Sequence, residues 1–149
     1  MKKILITIIS CLLLVGCGNK ELDLETIKNN LNELKVNDDL IFENMKIVSK
    51  TDLYNMYSID VKDTKSYLFA ENIDLISSEF NFYFIIKDVT EEIEEQVNGF
   101  LDHWESQCEM YDQKNAQKIK NRLETTYNGY KIYIISDNNE KVLEEIKNS

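Results

Sequence analysis

Proline is absent from this chain, glycine occurs four times, and histidine and tryptophan occur once each. Without proline, low-complexity tracts or internal repeats, nothing reads as a rigid linker or a repeat array. One histidine, His103, and at most one usable cysteine cannot supply the several nitrogen and sulfur ligands of a zinc site. No cluster of Lys and Arg offers an electrostatic footprint for nucleic acid. No P-loop, dinucleotide fingerprint or nucleophile elbow is present, and no pattern implies a cofactor. A long hydrophobic run is missing too. The longest, Ile4 to Val15, covers 12 residues, whereas crossing a bilayer core takes roughly 20.

That short run has a context. Met1-Lys2-Lys3 is a positive n-region, the apolar run follows, and Gly16 stands directly before Cys17. This is the layout of a secretory signal ending in a lipoprotein cleavage box. The expectation is cleavage between Gly16 and Cys17 and attachment of a diacylglycerol to the Cys17 sulfur. Two acyl chains, at roughly 0.8 kcal/mol per buried CH₂, anchor stably where one is marginal. The chain then divides into a signal peptide over 1–16, a lipidated N-terminus and short tether over 17–21, and one domain over 22–149. The expected location is the extracytoplasmic face of the cell membrane, with the membrane itself as a partner through the lipid.

Cleavage would leave 133 residues, enough for one core, and removing Lys2 and Lys3 would move the formal charge from −10 to −12. Such a surface is repelled by phosphates and anionic headgroups. Cys11 leaves with the signal and Cys17 is consumed by lipid. Only Cys108 is left, so no intramolecular disulfide can form. A tether of Gly18 to Glu21 reaches roughly 14 Å at about 3.3–3.6 Å per residue, which holds the domain near the membrane.

Leu24, Ile27, Leu31 and Leu34 recur at helical spacing, predicting a helix over 23–35 with Asp23 as N-cap and Leu22 stapled to Ile27. Residues 36–48 show no clean period. Ser49-Lys50-Thr51-Asp52 opens a short helix to about Tyr57. Two strands follow, 66–71 and 80–87, the second with Phe80, Phe82, Phe84 and Ile86 on one face. Asp88-Val89-Thr90-Glu91 reads as a capping box for the longest helix, 89–111, whose apolar stripe runs from Val89 through Val97, Phe100, Leu101, Trp104 and Cys108 to Tyr111. A short helix over 113–121 comes next. Asn128-Gly129 predicts a type I′ hairpin that sets Leu123, Thr125 and Tyr127 on the face of Tyr130, Ile132 and Ile134. Asp137 to Glu140 caps a last helix. The expected fold is α+β: an antiparallel sheet of about four strands, in two hairpin pairs, with helices packed on it.

The lipobox, this order of elements and several phrases resemble the small Gram-positive lipoproteins of the domain of unknown function 4358 family. The phrases are Asp52-Leu53 through Tyr57-Ser58-Ile59-Asp60, Ile85-Ile86-Lys87-Asp88, Tyr111-Asp112, and Gly129-Tyr130 through Ile134-Ile135-Ser136-Asp137. The resemblance covers most of the mature chain and departs from the family in lacking a proline near position 112. It implies an envelope lipoprotein and brings no catalytic residues with it.

Candidate chemistry is sparse. His103, at the flank of the long stripe, reads as an exposed or boundary residue without a nucleophile beside it. Cys108 falls between Trp104 and Tyr111 and reads as buried and inert. Glu91, Glu92, Glu94 and Glu95 suit the positive end of a helix. Asp137-Asn138-Asn139 lacks the glycine and spacing of a calcium loop, so no metal site is expected. Tyr83 and Tyr133, taken to lie opposite the main core face, are the candidate partner surface. The reading favoured by the sequence is a non-enzymatic binding or interaction module with an envelope protein or small ligand as partner. The alternatives are an envelope hydrolase working through paired carboxylates, and a one-domain small-solute-binding lipoprotein.

Overall fold

The computed structural model describes residues 21–74, 76 and 78–149. Gly16, Cys17 and the signal lie outside the described residues. The helices and strands are α1 (Leu24–Glu33), β1 (Lys35–Val36), β2 (Asp39–Leu40), β3 (Lys46–Ile47), α2 (Lys50–Tyr57), β4 (Tyr67–Asp74), β5 (Glu79–Lys87), α3 (Glu91–Tyr111), α4 (Gln113–Lys120), β6 (Leu123–Tyr127), β7 (Tyr130–Ile135) and α5 (Asn139–Asn148). The class is α+β. The main sheet has five strands in the order β3-β4-β5-β7-β6, and a separate small hairpin pairs β1 with β2. Every pairing is antiparallel.

The caps explain where the helices begin. Asp23 accepts the Thr26 backbone N–H at 3.1 Å, and Leu22 and Ile27 are buried in one cluster, as a hydrophobic staple requires. The longest helix starts later than the sequence suggests. Thr90 Oγ1 accepts from the Ile93 N–H at 3.3 Å, so Thr90 is the N-cap, while Asp88 sits in the left-handed region at φ 53°. At the far end Asp112 turns the chain and caps α4 through Asn115, and Tyr111 swings out to 86% exposure. The predicted stripe therefore ends at Cys108. Asn128 and Gly129 both have positive φ, 50° and 80°, and Tyr127 pairs with Tyr130 across the turn. This is the type I′ hairpin.

Both faces of the sheet are covered, which makes the molecule three-layered. On one face Phe69, Phe80, Phe82, Phe84, Ile86, Tyr133 and Ile135 pack with Leu53 of α2, with Ile93, Val97 and Leu101 of α3 and with Ile119 of α4. On the other, Leu68, Ala70, Tyr83, Ile85, Tyr130, Ile132 and Ile134 pack under Ile27 and Leu31 of α1 and Val142, Leu143 and Ile146 of α5.

This arrangement corrects the candidate partner surface. Tyr83 and Tyr133 are each 0% exposed. They also point to opposite faces, because β5 pairs with β7 in the register Phe84↔Tyr133 and Tyr83↔Ile134. A second helical layer, not solvent or a partner, covers Tyr83.

Neither hydroxyl makes a hydrogen bond among the described residues, and burial pushes both tyrosines well above their usual titration range. A buried hydroxyl without a partner carries a desolvation penalty of about 1–3 kcal/mol. Tyr83→Phe should therefore preserve or raise stability, by up to that amount. Urea melts of the two proteins check this; a loss of stability would reveal a hydrogen bond to the hydroxyl.

Candidate functional site

The most built-up concavity is a groove of about 670 Å³ between the end of α2, the β3–β4 edge and α3. That volume falls within the roughly 300–1,000 Å³ of small-molecule sites. Three elements converge on it for separable reasons.

α2 starts at Ser49, whose hydroxyl oxygen accepts from the Asp52 N–H at 3.2 Å. It stops at Ser58, which adopts the left-handed conformation and donates its N–H to the Tyr54 carbonyl, while the Ile59 N–H donates to the Leu53 carbonyl. This stop leaves Tyr57 in the last turn, with its ring 5.3 Å from Phe69 and edge-on to Phe100 at 5.1 Å. Met56, 70% exposed, stands at the rim.

β4 contributes Glu71, at 7% exposure the only acid among the described residues that are buried. Its Oε2 accepts the Ile73 N–H at 2.7 Å, and the Tyr57 hydroxyl lies within reach of its charge. Burial, followed by the charge of Glu71, holds Tyr57 far above the usual tyrosine range, so Tyr57 stays a proton donor. Lys46 of β3 is the cross-strand partner of Glu71 and also lines the groove. Yet no ion pair joins Glu71 to any cation among the described residues.

α3 supplies the opposite wall through Gln96, Gly99, Phe100, His103 and Trp104, which recur at helical spacing. Gln96 accepts the Asp60 N–H at 2.8 Å, fixing the helix to the loop behind α2. Trp104 packs against Phe80 at 5.8 Å, and the His103 ring lies 6.1 Å from Trp104. A Cβ added at Gly99 would meet nothing within 4 Å, so this wall is open at that point.

The residues singled out in the sequence fare differently. His103 is exposed, as its flank position suggests, but it belongs to the groove. Cys108 is a free thiol, 2% exposed, in the core; burial, then Asp112, pushes its titration up and away from thiolate chemistry. Glu94 of the acidic run pairs with Lys131 at 3.4 Å. Among the described residues no three His, Cys, Asp or Glu side chains gather as a metal set, and no helix is long and apolar enough to cross a membrane. Glu71 and Tyr57 were not singled out by the sequence, and Phe100 and Trp104 were read only as core. The usable signal for Glu71 was an acid placed within an apolar strand, where charges are rarely buried.

Comparison of the chain with protein-family models, with curated proteins and with solved structures found no match.

Proposed function

We propose that the protein is an envelope lipoprotein, anchored through Cys17 on the outer face of the cytoplasmic membrane, that acts by binding and not by catalysis. The anchor rests on the Met1 to Cys17 pattern, and kinship with the domain of unknown function 4358 lipoproteins is part of the same proposal. The observation that carries the binding role is the groove, where a buried carboxylate with no ion-pair partner among the described residues lines the same cavity as Tyr57, Phe100 and Trp104. This site also favours the one-domain solute-binding reading. A hydrolase using paired carboxylates needs a second acid facing Glu71, and the other described residues lining the groove include none.

In growing cells the wild-type chain should incorporate labelled palmitate and Cys17→Ser should incorporate none. With a photocrosslinking residue at Met56 the labelled chain should form a discrete adduct. The same residue at Glu140, exposed on α5, should form none. Unlabelled wild-type protein would end the anchor reading, and identical crosslinking at the two positions would end the binding reading.

A further inference from the structure

We infer that the groove receives a small molecule presenting an ammonium group on an apolar stem; this deepens the binding role proposed above and rests on it. Four observations point the same way. Glu71 is buried and accepts the Ile73 N–H, with the Tyr57 hydroxyl near it, where a carboxylate offers about four acceptor sites. It also lacks an ion-pair partner among the described residues, although buried charges are ordinarily paired. The walls hold Tyr57, Phe100 and Trp104, whose ring faces attract cations most strongly when water is excluded. The space beside Gly99 leaves room for a ligand stem along α3.

Two groups in the groove argue for an anion, and both are weaker. Lys46 and His103 are exposed, so solvent and salt screen them, whereas a buried charge is screened far less. An anion drawn by Lys46 would also lie against Glu71, its cross-strand neighbour. The chain's formal charge of −10 steers cations toward it at long range and repels anions.

Trp104 is the only tryptophan in the chain and lines the groove, so its emission reports occupancy directly. The full-length protein, purified from membranes into lipid nanodiscs, is titrated with n-butylammonium, n-butanol and butyrate. Butylammonium should change Trp104 emission saturably, butanol should bind at least tenfold more weakly, and butyrate should give no saturable change. Glu71→Gln, which keeps the side-chain shape, should reduce butylammonium affinity at least tenfold, to the level of butanol. Lys46→Gln should strengthen butylammonium binding by removing a like charge. The ranking of the three probes uses the wild-type chain, so it decides the matter even if a variant fails to fold. Equal binding of butanol or butyrate would overturn the ammonium assignment while leaving a binding groove in place. Tighter binding of Nα-acetyl-lysine amide would overturn the small-molecule assignment in favour of a peptide. Silence with every probe overturns the inference, and the Met56 adduct then decides separately whether the groove binds anything.

Discussion

Phe84→Ala is expected to cost about 3–5 kcal/mol, the range for emptying a large aromatic site in a core. Phe84 lies in the central strand β5 and is 0% exposed. Its ring meets Phe69 at 5.2 Å, Tyr67 edge-on at 6.5 Å and Tyr133 nearly parallel at 6.2 Å. Those rings come from both neighbouring strands, β4 and β7, so truncation leaves a void that no single side chain can fill. Domains of this kind have only about 5–15 kcal/mol of stability in all, and the variant should approach the unfolding threshold. The urea midpoint should fall while the m-value stays constant. A loss below about 1 kcal/mol would contradict this central packing. Phe84 does not line the groove, so Trp104 emission in the folded variant should match the wild type.

Ile146→Ala on α5 should cost about 2–5 kcal/mol, whereas Glu144→Ala on the same helix should stay within about 0.5 kcal/mol. Ile146 is 0% exposed, packed with Ile132, Ile134 and Tyr83 in the second core; Glu144 is exposed. The pair of variants separates burial of one helical face from any general effect on α5. Similar small losses at both positions would mean that α5 does not cover the sheet, and Tyr83 would then be accessible after all. Chemical denaturation of the three proteins side by side measures the contrast.

The first face of the sheet was legible in the sequence because Phe80, Phe82, Phe84 and Ile86 alternate cleanly. The second was not. Along Phe82 to Ile86 every residue is apolar, and such a run fits a strand buried on both sides or on one. What decides is the docking of α1 and α5, from opposite ends of the chain, where the Asn30 amide donates to Glu145 at 3.0 Å and to Ser149 at 2.9 Å. No local pattern records a contact of that range. The register of β5 against β7 is equally non-local, so placing Tyr83 and Tyr133 on one face could not be tested by periodicity. The unclear stretch 36–48, with Lys35 before it, holds three strands of two residues each, too short to display a period. One of them, β3, is the fifth strand of the main sheet. Asp88 and Thr90 both suit an N-cap, and what decides between them is the Ile93 N–H donated to Thr90 together with the positive φ at Asp88. The groove stayed hidden because Glu71, Tyr57 and Trp104 lie on three elements and each had an ordinary local explanation.

The ion pair between Lys87 and Glu21, 2.9 Å long, has a consequence for how the domain meets its surroundings. Glu21 is where the described chain begins, and the pair moors it to the last residue of β5. Glu71 pairs with Phe82, and Lys87 is five residues further along β5, roughly 17 Å at the antiparallel rise of about 3.4 Å per residue. The groove therefore lies along β5 away from the end where the described chain begins, so an attachment at that N-terminal end would leave the groove uncovered.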